Sequence, residues 1–430
     1  MPRAAIIEGV RTPFTKFNTS LKDVIAADLA MHVLREIIER TDLDVNLIDH
    51  VVVGNGAPPA DAPNIARIAA LKAGIPQRVP GYTVQRNCAS GMQSITEAAE
   101  LIQLGHAEVV IAGGVESMSN IPFFFRRSFQ DKMTDLTRSK SLVNKVRTAA
   151  SIRFKDLSPV VGIEMGLTDK YCVLNMGETA EVLAREYNLS REAQDEYALV
   201  SHQRTTAAWE EGRFDNEVMT VYHVTEDGRQ VVVEQDNGYR PNQSIESLRK
   251  LHPVFDRKYG TVTAGKASQL TDGASALVVM SEEKAKSLGY SPKAYIRSWG
   301  YAGNDPATMG LGPAFATPIA LDRAGLSLKD IQLVELNEAF ASVVLANEIA
   351  FTSREFAKEN LGRTDPIGQL LRDTMNVNGG AIALGHPIGA TGNRLVLTLM
   401  KEMERRDIQF GLATECIGGG QGGAMIIERE

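Results

Sequence analysis

The chain is poor in cysteine: Cys88, Cys172 and Cys416 are the only three in 430 residues, widely spaced and with no CxxC pair. An odd number at such spacing argues against a disulfide framework and against a zinc site, so the thiols are expected to be reduced and any use of them chemical. No unbroken apolar stretch approaches the roughly 18 residues a spanning helix needs. The opening "MPRAAIIEGVRTPF" holds only the short run "AAII", so neither a signal peptide nor a transmembrane segment is expected, and the chain reads as cytoplasmic. Excess positive charge is lacking as well: 46 Lys and Arg stand against 53 Asp and Glu, a net charge of -7, which gives no global reason to bind nucleic acid or membrane. Partners are expected to be small molecules or proteins. A phosphate-binding fingerprint is also missing. "NVNGGAIALGHPIGATG" (376–392) lacks the Lys-Ser/Thr ending of a P-loop, and "CIGGGQGG" (416–423) runs into "AMIIERE", a last strand and not a helix.

What is present is ordinary soluble composition, 43% hydrophobic and 23% charged, at a length that calls for two or three domains. Short apolar runs such as "AEVVIAGG" (107–114) and "IQLVEL" (331–336) alternate with longer amphipathic stretches, the pattern of an α/β protein whose sheet is covered by helices. In "QRNCASGMQS" (85–94) and beyond, Met92, Ile95, Ala99 and Ile102 fall at helical spacing, while "PGYTV" upstream reads as a strand. Cys88 is therefore predicted at a strand-to-helix turn, where free backbone N–H groups and the helix dipole favour an anion.

The second half repeats this plan in outline, "IQLVEL" running into "NEAFASVVLANEIAF", and is read as a structural duplication. Between the halves, from about Pro122 to Leu270, the character changes to polar turns and helical stretches such as "SREAQDEYALVSHQRTTAAWEEGRF", which reads as an inserted domain. Within it, residues 123–156 hold nine Lys and Arg against three Asp, a local net charge of +6, beginning with "FFFRRSF". Two readings stand: a solvated basic helix near an anionic ligand, or a membrane-surface or partner-binding element.

The two glycine-rich stretches each surround one reactive residue, His386 and Cys416, and their glycines let backbone approach a ligand closely. His386 is the only one of seven histidines in such a loop; Cys172 in "TDKYCVLNM" reads as structural. A cysteine at a helix start with a histidine suits a thiolate nucleophile, and a second cysteine can move a proton near neutral pH. Acyl transfer needs both functions.

"NCASGMQS", "NEAF" (337–340), "GHPIGATG" (385–392) and "CIGGGQGG" strongly resemble the blocks of thiolases, in thiolase order. The resemblance extends through "APNIAR", "AGGVESMS", "MGETAE", "GTVTAG" and "TDGASA" and covers essentially the whole chain. It implies a duplicated five-layer α-β-α-β-α fold: an N-terminal half over 1–121 completed by 271–290, an inserted loop domain over 122–270 that binds CoA, and a C-terminal half over 291–430. By the same resemblance Cys88 is the nucleophile that carries the acyl group. His386 is the base that activates it and helps bind a thioester oxygen, and Cys416 is the acid/base acting on the acetyl-CoA carbanion. Asn337 orients a water in one oxyanion hole, and the backbone N–H groups of Cys88 and Gly418 form the other. A plain structural reading of Asn337 is a helix N-cap for the "EAFASVV" stretch. Ser268 matches a pantetheine contact, Arg240 an arginine set against the adenine, and Leu167 and Met176 residues of the acyl and pantetheine tunnel, with Phe340 a further CoA-binding residue. The implied co-substrate is coenzyme A, with no bound cofactor or metal.

Further likenesses point to the beta subunit of a fatty-acid-oxidising complex: "FDRKYGTVTAG" (255–265), the basic insert and the extra "FTSREFAKENLGRTDPIGQLLRDT" (351–374). Such subunits usually have histidine where this chain has Asn337. Asn175 stands where many short-chain thiolases have histidine. The expectation is a 3-ketoacyl-CoA thiolase of medium or long chain range, with a short-chain acetoacetyl-CoA thiolase as the alternative. A decarboxylating ketoacyl synthase typically lacks the second cysteine, and a non-catalytic CoA-binding protein is expected to have lost a reactive group; this chain retains all four. A homodimer or homotetramer is implied, with an alpha subunit as a candidate partner.

Overall fold

The computed structural model describes residues 2–225 and 227–430. Nine principal strands, β1 (Ala4–Arg11), β2 (His50–Asn55), β3 (Gly81–Val84), β4 (Val109–Ser117), β5 (Thr271–Ser281), β6 (Ala294–Gly303), β7 (Leu333–Leu336), β8 (Phe410–Ile417) and β9 (Gln421–Glu428), lie in the order β7-β8-β9-β6-β1-β5-β4-β2-β3, with the two-residue strand Thr15–Lys16 paired to β5.

The duplication expected from the sequence is visible in the pairing. In one half β2 runs parallel to β4, β4 antiparallel to β5 and β5 antiparallel to β1. In the other, β7 runs parallel to β8, β8 antiparallel to β9 and β9 antiparallel to β6. The halves join where β1 meets β6 through Ala5 with Tyr295 and Ile6 with Ala294.

Alternation along the strands sorts their side chains into layers. The principal helices are α1 (Ala26–Thr41), α2 (Ile65–Lys72), α3 (Ser90–Gln103), α4 (Met176–Glu186), α5 (Arg191–Glu210), α6 (Gly312–Ala324), α7 (Ala341–Thr352) and α8 (Ile388–Arg406). Val109, Ile111 and Val115 of β4 share a core with α1 and α2, whereas Val110 and Ala112 pack with α3 and α8. In β9, Ala424 and Ile426 pack with α6 and α7, whereas Met425 and Ile427 join the α3 and α8 layer. This is the five-layer α-β-α-β-α arrangement. The strands read as near-continuous apolar runs because both their faces are covered.

The central helices cross at their first turns, at glycines. A Cβ on Gly91 of α3 would stand 2.7 Å from the Asn393 nitrogen and 2.8 Å from the Gly389 oxygen, and one on Gly392 of α8 would stand 2.6 Å from the Met92 nitrogen. Only residues without side chains allow this backbone contact, and it brings the turn before α3 and the turn before α8 to one place.

Of the stretch expected as an insert, Ile121–Thr168 forms a compact unit of its own, while Met1–Asn120 and Asp169–Glu430 form the other. Residues beyond 168 lend Leu183, Tyr197 and Val262 to the α6 and α7 core and Val221 and Val233 to the α1 and α2 core. In the Ile121–Thr168 unit, helices Arg127–Arg138 and Leu142–Ala150 bury no side chain. Asp156 ties the unit together, accepting from Lys132 Nζ at 2.6 Å, Ser128 Oγ at 2.7 Å and the Arg153 nitrogen at 2.8 Å.

Candidate active site

The turn Gln85–Ala89 joins β3 to α3 and is fixed from several sides. Asn87 takes the left-handed conformation, φ 45°, which asparagine tolerates better than most residues. The Ser90 hydroxyl donates to the Asn87 oxygen at 2.7 Å and accepts from the Arg86 nitrogen at 2.9 Å. Arg86 stacks 4.1 Å from the centre of the Tyr301 ring and donates from Nε to Gln93 Oε1 at 2.8 Å. Cys88 is half-buried at this turn, as the sequence predicts, with α3 beginning two residues later.

Cys416 lies at the end of β8, fully buried, followed by the tight turn Gly418–Gly420 into β9. The two ends meet. Asn87 Nδ2 donates to the Gly418 oxygen at 2.7 Å, joining the Cys88 turn to the turn after Cys416. Burial pushes the Cys88 thiol up to about 12, against the pull of the Gly418 N–H and of its own N–H. Burial also raises the Cys416 thiol, with Cys88 and then Glu415 as the next contributions. Burial thus works against the helix-start donors that favour the thiolate, and the two effects oppose each other at Cys88.

His386 precedes α8 and is 8% exposed. Its backbone nitrogen donates to the Gln269 oxygen at 3.1 Å, and its Nδ1 lies 2.6 Å from Thr391 Oγ1. Nε2 has no protein partner. Burial, then the Arg394 guanidinium, lower its pKa to about 3, so the imidazole is neutral. Glu116 anchors the same loop: its carboxylate accepts from Asn55 Nδ2 at 2.9 Å and from the nitrogens of Gly56 at 2.8 Å, Ala57 at 3.2 Å and Gly389 at 2.9 Å.

Asn337 follows β7, its nitrogen donating to the Thr414 oxygen at 2.9 Å two residues before Cys416 on the neighbouring strand. It is fully buried, and neither carboxamide atom has a protein partner. The N-cap reading is not borne out. α7 begins at Ala341 with Phe340 as its N-cap, because Phe340 extends to bridge Ala267 and leaves Asn337 outside the helix. Glu338 pins the segment, accepting from Tyr197 Oη at 3.0 Å, Ser201 Oγ at 2.6 Å, Asn376 Nδ2 at 3.1 Å and the Ile382 nitrogen at 3.2 Å.

The CoA-contact residues divide. Met176, first residue of α4, lies against Gly418: a Cβ there would stand 3.2 Å from Met176 Sδ. Asn175 is the N-cap of that helix, accepting from the Glu178 nitrogen at 3.0 Å, so a structural duty accounts for it. The Ser268 nitrogen donates to the Ala339 oxygen at 2.9 Å, which sets Ser268 between the Phe340 segment and the His386 loop. Phe340 itself is buried, edge-on to Phe255 at 6.1 Å. Arg240 is exposed, its backbone nitrogen donating to His202 Nδ1 at 3.2 Å. Leu167 caps the short helix Gly162–Gly166 within the Ile121–Thr168 unit.

Asn87, Glu116 and Glu338 were not singled out from the sequence, although each lies inside a quoted block. An acid in an otherwise apolar strand, "VVIAGGVES", or directly after the buried Asn337, is the signal that would have found the last two.

Comparisons with known proteins place the chain in a family. The family described as thiolase, N-terminal domain, matches residues 4–283, and the thiolase C-terminal domain matches residues 290–429. The chain is 43% identical over 429 residues to a protein named 3-ketoacyl-CoA thiolase from Colwellia psychrerythraea, covering 100% of this chain and 97% of that one. Among solved structures, a Bacillus anthracis acetyl-CoA acetyltransferase is 39% identical with a TM-score of 0.87, covering 100% of this chain and 99% of the other. Human mitochondrial 3-ketoacyl-CoA thiolase in complex with CoA is 36% identical with a TM-score of 0.85, covering 100% and 98%. With both thiolase domains matched across nearly all its length and a full-length relative above two-fifths identity, the chain belongs to the thiolase family.

Proposed function

We propose that this chain cleaves 3-ketoacyl-CoA with CoA, giving acetyl-CoA and a shortened acyl-CoA through an acyl group carried on Cys88. The observation that carries the reading is the bond from Asn87 Nδ2 to the Gly418 oxygen at 2.7 Å, which brings the Cys88 turn against the glycine turn that follows Cys416: a nucleophile, backbone donors for a developing oxyanion and a second proton carrier on adjoining turns. Cys88 loses its proton to Nε2 of the neutral His386 and attacks C3. The C2–C3 bond breaks, and its electron pair leaves as the acetyl-CoA enolate, which takes the proton of Cys416. The Cys416 thiolate then accepts the proton of incoming CoA, whose sulfur attacks the Cys88 thioester. Cys88 leaves and recovers its proton from His386. The unpartnered Asn337 carboxamide and His386 Nε2 are suited to one thioester oxygen, the N–H groups of Cys88 and Gly418 to the other.

A thiolysis series from four to sixteen carbons, with Cys88→Ala as control, tests the reading. A rise in kcat/KM with length supports a fatty-acid degradative enzyme. Activity confined to the four-carbon substrate supports an acetoacetyl-CoA thiolase, in keeping with the Bacillus anthracis acetyl-CoA acetyltransferase it resembles.

CoA contacts through Ser268, Arg240, Met176, Phe340 and Leu167, a homodimer or homotetramer, and an alpha subunit as partner belong to the same proposal. Light scattering that reads a monomer removes the oligomer. In the Ile121–Thr168 unit, Phe154 is 94% exposed, Leu142 75% and Val143 76%, among the basic residues of 123–156. Apolar and basic side chains exposed together favour an interface over a solvated face, and sedimentation with anionic against neutral vesicles tests the membrane reading. Among the described residues, no helix is long and apolar enough to cross a membrane.

A further inference from the structure

We propose that Thr391 is the positioning residue that sets the tautomer of His386, holding the proton on Nδ1 so that Nε2 presents a lone pair to Cys88. The inference rests on the reading of His386 as the base. Thr391 sits in the first turn of α8, fully buried, five residues after the histidine. Its hydroxyl lies 2.6 Å from His386 Nδ1 and 3.1 Å from the Pro387 oxygen, the carbonyl four residues earlier to which helical threonines commonly donate. A hydroxyl has one hydrogen. Donated to Pro387, it leaves an oxygen lone pair facing Nδ1, which only a protonated Nδ1 satisfies. The relay runs Nδ1–H to Thr391 Oγ1 to the Pro387 oxygen, and all three groups have partners.

The opposite orientation, with the hydroxyl donating to Nδ1, places the ring proton on Nε2. That nitrogen is buried and has no acceptor in the protein, and a protonated Nε2 cannot accept the Cys88 proton. The neutral ring cannot satisfy both nitrogens by ionising, since burial disfavours the cation. The short loop carrying the histidine is fixed by bonds from its own nitrogen to the Gln269 oxygen at 3.1 Å and Thr271 Oγ1 at 3.2 Å, so ring orientation is what remains for Thr391 to decide.

The test reads the tautomer directly. Nitrogen-15 histidine correlation spectra of the whole protein near neutral pH, with the His386 ring assigned by its loss in His386→Asn, should show the Nδ1–H form. Thr391→Val, which keeps the shape and removes the hydroxyl, should give a mixture of tautomers and lower kcat roughly 10²-fold with KM changed only a few-fold. Thr391→Ser should restore both readouts. A predominant Nε2–H form in the unaltered protein overturns the proposal whether or not the variants fold, and so does Thr391→Val with unaltered kcat and tautomer. Full thiolysis by His386→Asn would instead refute the reading of His386 as base, a separate failure.

Discussion

Asn87 holds Gly418. Its Nδ2 donates to the Gly418 oxygen at 2.7 Å, linking the nucleophile turn to the turn between the last two strands. Gln85 Nε2 donates to the Asn87 Oδ1 at 2.9 Å and keeps the carboxamide from flipping.

Removing that link should disturb catalysis more than folding. Asn87→Ala loses the bond and strains a left-handed position; Asn87→Gly loses the bond alone. A misplaced oxyanion donor costs about 3 kcal/mol in the transition state, so both variants should lose on the order of 10²-fold in kcat, with only Asn87→Ala also lowering Tm. Equal kcat in Asn87→Gly and the unaltered protein would show that Gly418 is placed by other contacts.

A side chain at Gly418 would meet Met176 first. The Cβ of Gly418→Ala would press on Met176 Sδ at 3.2 Å, and φ at this position is not in the left-handed region, so crowding alone is at issue. The expected outcome is a rise in KM for acyl-CoA and a smaller fall in kcat. Met176→Ala placed on top should recover most of the loss, a coupling of about 1 kcal/mol between touching residues. Independent, additive effects in the double-mutant cycle would refute it.

Acid stability should carry the mark of His386. Its pKa is lowered to about 3 in the folded chain from 6.5, so the unfolded state binds more protons between those values. Stability from this group is present above pH 6.5 and is lost as pH falls toward 3. His386→Asn should therefore lose less stability than the unaltered protein on going from pH 7 to pH 5, by about 2 kcal/mol. Denaturation curves at both values measure it; parallel losses would mean the histidine is free to ionise in the fold.

Glu338 is a structural anchor for the Asn337 segment. Glu338→Ala leaves three buried donors, on Tyr197, Ser201 and Ile382, without their acceptor, while Asn376 Nδ2 keeps the Leu336 oxygen at 2.8 Å. A cost of about 3 kcal/mol or more is expected, read as a lower Tm, with kcat falling because Asn337 shifts. A Tm unchanged within error would show that water replaces the carboxylate.

Several features were legible locally. The strand at Gly81–Val84, the helix from Ser90, the strand at 331–336 and the last strand after the glycine turn all follow from short-range periodicity, and the structure has each of them. The N-cap reading of Asn337 failed because a non-local contact, the bridge between Phe340 and Ala267, delays the helix. Glu116 escaped for the same kind of reason: its partners at Asn55 and Gly389 depend on how α8 lies against β2 and β4, whereas Thr391 meets His386 locally through the first turn of α8.

The order of residues alone determined the chemistry on offer, two cysteines, a histidine and an asparagine in glycine-bearing turns, because reactivity resides in residue types and turn formation in local backbone preference. It also determined the duplicated plan, since apolar periodicity is a short-range property. Which turns meet, and in what ionisation state, was decided by the fold. Gly91 and Gly392 let α3 and α8 cross backbone against backbone, and the burial that follows raises both thiols and keeps His386 neutral. Desolvation is a property of everything packed around a group, and no stretch of sequence carries it alone.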